Sequence, residues 1–225
     1  MTNNPIFITG VERSGASIIA RLLDITGKVY YGDITVRYEN KEISNFLKLG
    51  LLSFSMDPRG QFPVPESPLP IIKSMEERVQ EEIIIKQGKL VWVYKTHLLL
   101  HTYKTWQALY PQARWIFVRR KPGDIIESCK KTGYMTAYES KLIQQQVGVN
   151  NEYAGWKWWI DWGEMQMEAL IKAGVDYKIV WPDRLADGDY SQVLHMLRWL
   201  NLPWNHNIVP IISKLFKTTK VCEQI

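Results

Sequence analysis

The sequence predicts an α/β fold in which a central parallel β-sheet is flanked by helices. Two observations carry that reading. Short apolar, β-rich runs alternate along the chain with longer segments of helical period, and such alternation requires parallel βαβ crossovers. The 225 residues also include 46% hydrophobic and 12% aromatic side chains, enough to bury a core and too apolar for a disordered chain. At this length one domain over residues 1–225 is expected.

The elements follow in order. Pro5-Ile6-Phe7-Ile8-Thr9 reads as a buried strand ending at Gly10, and Ile18, Ile19, Leu22 and Leu23 place a helix over 15–25 directly after it. Val29-Tyr30-Tyr31 is a second strand. Helices are predicted over 39–52 and over 74–87, the latter with Ser74 as N-cap and Glu77 three residues on. Between them, Met56 to Pro70 holds prolines at 58, 63, 65, 68 and 70, which exclude a helix or a central strand and leave an extended loop. Leu90 to Tyr94 and Arg114 to Val118 are further strands, with a helix-like segment over 102–110 between them. Pro122 opens a helix through Cys129, residues 152–173 form a long tryptophan-rich helix, and Asp176 to Val180 is the last strand. An amphipathic helix from Gln192 to Leu200 is stopped by Asn201 and Pro203.

Composition excludes several classes of function. No apolar run approaches the roughly 18–20 residues that span a bilayer, and the N-terminus has neither a basic stretch nor a cleavage site, so a cytoplasmic protein is expected. Two cysteines, Cys129 and Cys222, argue against a disulfide framework or a cysteine-rich metal site. Lys and Arg outnumber Asp and Glu by 28 to 23, a surplus that suits an anionic ligand but equally fits an ordinary basic protein.

The location of the charges is more informative. Strand, then Gly10-Val11-Glu12-Arg13-Ser14-Gly15-Ala16-Ser17, then helix is the layout of a phosphate-binding loop, whose backbone N–H groups and helix N-terminus attract anions. The nucleotide-triphosphatase pattern G-x-x-x-x-G-K-[ST] matches in spacing, but Ala16 stands at the lysine position. A cation is supplied three residues earlier, by Arg13. Taken alone, the segment can also be a tight turn that happens to contain glycine.

Arg13-Ser14-Gly15-Ala16-Ser17 resembles the 5′-phosphosulfate loop of the sulfotransferases, P-loop-like α/β enzymes that use 3′-phosphoadenosine-5′-phosphosulfate as donor. That family writes Lys or Arg followed by Ser-Gly-Thr-Thr, so Ala16 lacks one hydroxyl. Three further segments match in the same order. Lys95-Thr96-His97 resembles the Lys-Thr-His of the cytosolic branch, which implies His97 as general base and Lys95 beside the transferring sulfonate. Arg120 and Ser128 have the spacing of the family's 3′-phosphate ligands. Trp181, in Tyr177 to Leu185, falls where the family places a tyrosine near adenine.

The resemblance spans about residues 5–205. It implies a sulfotransferase acting on a hydroxyl or amine of a small-molecule acceptor. By the same resemblance Arg13, Lys95 and His97 would be the catalytic residues, and Arg13, Ser14, Gly15, Ala16, Ser17, Arg120, Ser128 and Trp181 would hold the nucleotide. Neither a metal nor a nucleic-acid or membrane partner is implied. A metal reading would pair His97 with His101, but Leu98 to Leu100 offer no third ligand.

Two rivals are weighed against this reading. A P-loop small-molecule kinase is disfavoured by Ala16 and by the lack of an evident magnesium carboxylate. The other rival is a non-catalytic nucleotide- or nucleic-acid-binding protein on the same fold, of which a basic-patch RNA binder would want exposed aromatics interleaved with its cations, whereas the cations here sit at strand ends. The family's C-terminal Arg-Lys-Gly segment is absent, with Lys217 and Lys220 as substitutes for its charge. The proline-rich segment is expected to be a mobile cover over the acceptor site, or else a static loop packed by Phe62 and Leu69.

Overall fold

In a computed structural model, β1 (Ile6–Thr9), β2 (Val29–Tyr30), β3 (Val91–Lys95), β4 (Arg114–Val118) and β5 (Asp176–Val180) form one sheet in the order β2-β3-β1-β4-β5. Every pairing is parallel. The structure describes residues 4–53, 57, 59–62, 77, 79, 90–204, 209 and 210. Most of the proline-rich segment, most of the helix predicted over 74–87, and Lys217 and Lys220 lie outside them.

The helices include α1 (Ala16–Asp24), α2 (Lys41–Ser53), α3 (Leu99–Leu109), α4 (Pro122–Lys130), α5 (Lys141–Gln146), α6 (Glu152–Lys172), α7 (Pro182–Ala186) and α8 (Ser191–Trp199). A 3-10 turn spans Ala137–Glu139. No helix among the described residues is long and apolar enough to cross a membrane.

Successive side chains of a strand point to opposite faces, and here the two faces differ in chemistry. Phe7, Trp92, Tyr94, Trp115 and Phe117 point to one face, where residues of α2, α3, α4 and α6 cover them. Ile6, Ile8, Val93, Ile116 and Val118 point to the other, under α1 and α8. Phe7 is the hub of the aromatic layer, with ring centroids 4.9 Å from Trp115, 5.4 Å from Trp106 and 5.8 Å from Trp92. Burial on both faces explains why these strands read as apolar runs rather than alternating ones.

Helix α3 begins at Leu99, three residues before the predicted start. Thr102 has φ −121°, and its hydroxyl donates to the Leu98 carbonyl at 2.9 Å, so two short helical pieces meet there. The unbroken run Leu98 to Leu100 carries no period that would reveal the first of them.

The short stretch Arg59–Phe62 is tied down on this side of the molecule. The Gly60 carbonyl accepts from His101 Nε2–H and from Trp159 Nε1–H, both at 3.1 Å. Gln61 bridges to the segment before α5, donating to the Tyr134 carbonyl and accepting from the Thr136 and Ala137 N–H groups. Phe62 packs against the Tyr138 ring at 5.9 Å. His101 Nδ1 is buried with no hydrogen-bond partner among the described residues. Burial, aided by the His97 charge and opposed by the Gly60 bond, brings the His101 pKa down to about 3.

Truncating the hub, Phe7→Ala, should cost about 3–5 kcal/mol of stability in urea titrations. A loss under about 1 kcal/mol would mean that the aromatic layer repacks around the gap. His101 gives a pH-dependent test. The unfolded chain takes up a proton near pH 6.5 that the folded ring refuses until about pH 3, so this group lowers stability as pH falls through that window. His101→Gln should remove that contribution, about 1.4 kcal/mol per pH unit at most. Parallel stability-against-pH curves for the two proteins would refute it.

Candidate active site

The C-terminal ends of β1, β3 and β4 open on one cleft of about 230 Å³. Its walls include the loop Gly10 to Ser17 together with Arg37, Lys95, His97 and Arg120. Parallel pairing produces the convergence: Ile8 is opposite Lys95 and Thr9 is opposite Phe117, so the three strands end side by side. Clefts at the carboxyl ends of parallel strands are where α/β sheets bind ligands.

The loop is tightly wound. A side chain at Gly10 would run into the Val118 carbonyl of the neighbouring strand, so the close approach of β1 and β4 requires glycine there. Arg13 and Gly15 both lie in the left-handed region, with φ 71° and 94°, and curl the backbone ahead of α1. The first N–H groups of α1 have no partner within the helix. Ser14 Oγ, in a side chain only 1% exposed, has no hydrogen-bond partner among the described residues. Curled backbone, helix N-terminus and an unpartnered hydroxyl fit the phosphate end of a nucleotide.

Arg13, Lys95 and Arg120, all on the cleft, are each engaged by a protein group. Arg13 Nε donates to Ser128 Oγ at 2.9 Å, Lys95 Nζ pairs with Glu39 at 3.1 Å, and Arg120 Nε lies 3.4 Å from Asp183. Ser128, on α4, accepts from the loop arginine. Trp181 does not line the cleft; its N–H donates to Gln192 Oε1, and Pro182 after it starts α7.

His97 is held at both ring nitrogens. Nδ1 lies 2.6 Å from Glu12 Oε2 and Nε2 lies 2.7 Å from the Arg59 carbonyl. The second Glu12 oxygen accepts from the Tyr134 hydroxyl at 2.7 Å and faces Arg37 Nη1 at 3.4 Å. Burial pushes Glu12 up, but the His97 charge, the hydrogen bonds from His97 and Tyr134, and Lys95 outweigh it and hold the carboxyl well below its usual range. For His97 burial acts downward; Glu12, Glu39 and the Arg59 bond overcome it, and the net shift is upward.

Sequence reading missed Glu12, Arg37, Glu39 and Tyr134. Glu12 and Arg37 sit on loops without period, and nothing in their spacing signals the contact with His97. Among the described residues no group of three His, Cys, Asp or Glu side chains is arranged to hold a metal ion.

No family model matches the sequence, and no curated protein does. Solved structures do match. Sulfotransferase STF9 from Mycobacterium avium superposes with a TM-score of 0.62 at 12% identity, covering 97% of this chain and 69% of that one. The sulfotransferase from Alicyclobacillus acidocaldarius gives 0.59 at 12% identity, covering 97% and 93%. Sulfotransferase STF1 from Mycobacterium tuberculosis gives 0.54 at 15% identity, covering 95% and 71%. The chain therefore has the α/β fold of the sulfotransferases.

Proposed function

We propose that this protein is a sulfotransferase, moving the sulfonate of 3′-phosphoadenosine-5′-phosphosulfate to a hydroxyl or amine of a small-molecule acceptor. One observation carries the proposal: in a fold shared with sulfotransferases, a phosphate-type loop without the kinase lysine, a Lys-Thr-His strand end and an arginine strand end line the same cleft.

In this reading the loop N–H groups and Ser14 Oγ bind the 5′-phosphosulfate. Arg13 and Lys95 offset the negative charge that gathers on the bridging oxygen as the S–O bond breaks. His97 Nε2 takes the proton of the attacking acceptor as the new S–O or S–N bond forms. For that, the acceptor atom takes the place at Nε2 now held by the Arg59 carbonyl. Arg120 and Ser128 are assigned to the 3′-phosphate, with Trp181 near the base. Binding an anion would draw Lys95 from Glu39 and Arg120 from Asp183, exchanging a protein carboxylate for a ligand oxygen in each case. Donor and acceptor supply the bonds made and broken, and the protein supplies position and charge.

Two measurements test the reading. Adenosine 3′,5′-bisphosphate should bind more tightly than 5′-AMP or ATP in calorimetry, and Arg120→Ala should remove most of the advantage over 5′-AMP. A charge-assisted phosphate contact is worth about 1.5–3 kcal/mol, a factor of ten to more than a hundred. Equal affinities would refute the nucleotide assignment. With an acceptor in hand, His97→Ala should lower kcat by about 10²–10⁴ and leave nucleotide affinity nearly unchanged. Near-normal turnover would assign the proton to another group.

A further inference from the structure

A carboxylate within a phosphate-binding loop is unfavourable for any anionic ligand, because like charges meet in a partly desolvated cleft. Glu12 is such a carboxylate, and only 13% of its side chain is exposed. Its surroundings are built to keep it ionised and fixed. Tyr134 donates to one oxygen at 2.7 Å, and Arg37 lies against both Glu12 and the Tyr134 hydroxyl, at 3.4 and 2.9 Å. The Arg37 guanidinium also stacks over the Tyr134 ring, 4.6 Å from its centroid. All of this orients the other oxygen toward His97 Nδ1, 2.6 Å away.

The two contacts of His97 fix its protonation state by geometry. Both partners are acceptors: a carboxylate at Nδ1 and a carbonyl at Nε2. A neutral imidazole has one N–H, so one nitrogen would turn a lone pair onto an oxygen less than 3 Å away. Only the imidazolium donates to both. When it loses a proton, the charge-assisted bond to Glu12 outlasts the bond to a neutral carbonyl. The proton stays on Nδ1, and the lone pair appears on Nε2.

From this geometry we infer that Glu12 is the positioning residue of the proton-accepting histidine: it selects the Nδ1–H tautomer of His97, makes Nε2 the basic atom and strengthens it as a base. The inference rests on the reading of His97 as base given above. Glu12 touches neither donor nor acceptor in this role and acts through the imidazole. The other groups facing His97 are the Lys95–Glu39 pair at the end of β3, His101 on α3 with ring centroids 6.5 Å apart, and the Arg59 backbone. Lys95 and Glu39 oppose each other as a pair and His101 is neutral, which leaves Glu12 as the dominant charge.

The test is a nitrogen-15 NMR titration of the imidazoles in the full chain, with His97 assigned by its loss in His97→Gln. In the parent protein, neutral His97 should carry its proton on Nδ1. In Glu12→Gln the His97 midpoint should fall by about 1–3 pH units, the effect of removing an opposite charge at this distance. Tyr134→Phe, which leaves Glu12 charged but less firmly held, should lower it in the same direction by less, and serves where Glu12→Gln does not fold. An Nε2–H tautomer in the parent, or an unmoved midpoint in the folded variant, would overturn the inference. The titration uses no donor or acceptor, so its result stands apart from whether sulfonate is transferred. Where transfer is measured, the acid limb of kcat/KM should move to lower pH in Glu12→Gln; a purely structural role for Glu12 would lower the whole profile without moving that limb, and would count against it.

Discussion

Strand β1 has a hydrogen-bonded neighbour on each edge and a helical layer on each face, and its direction is shared by every strand around it. That constraint organises everything else. Because the sheet is parallel, the ends of β1, β3 and β4 reach the same edge together, and whatever follows each strand is delivered to one place. The Gly10 loop, the Lys95–His97 turn and Arg120 are unrelated in sequence distance, yet all three line one cleft. An antiparallel arrangement would have sent some of them to the opposite edge. The close approach at Gly10 is the local expression of the same constraint: the chain leaves β1 against the carbonyl that ends β4.

Charge within the cleft is balanced locally. Lys95 faces Glu39, Arg120 faces Asp183, and His97 faces Glu12. Each pair is partly buried, so an isolated member would bear a large desolvation cost. The pairs set apart two kinds of carboxylate. Glu39 and Asp183 neutralise cations, whereas Glu12 is engaged with an imidazole, a phenol and a guanidinium.

Much of the fold was legible in the sequence. The ranges Arg114–Val118 and Asp176–Val180 coincide with β4 and β5, because apolar runs bounded by turns leave little freedom in strand limits. The start of α3 was hidden by a run of leucines without period, and α5 and α7 are too short for a pattern to develop. In the site, Arg13, Lys95, His97 and Arg120 were legible because each stands at or just past a strand end. Their partners were not. Which donor Ser128 meets, or that Tyr134 reaches Glu12 across 122 positions, depends on side-chain direction that spacing does not encode. Trp181 was placed by likeness to a tyrosine of the sulfotransferases; its backbone N–H donates to Gln192 Oε1 at the turn into α7.

The division of the sheet into an aromatic and an aliphatic face makes the two halves of the molecule optically unequal. Trp92, Trp106, Trp115, Trp156, Trp158, Trp159 and Trp162 all belong to the aromatic layer, while Trp199 and Trp204 border the aliphatic one. Intrinsic fluorescence therefore reports chiefly on the layer containing α3 and α6. Helix α1, whose first turn follows the Gly10–Ser17 loop of the cleft, packs in the quieter layer. A partial opening that detached α1 from the sheet, and so dismantled the cleft, would leave most of the emission unchanged. Its detection calls for a probe placed on that side, such as amide exchange along Ala16–Asp24.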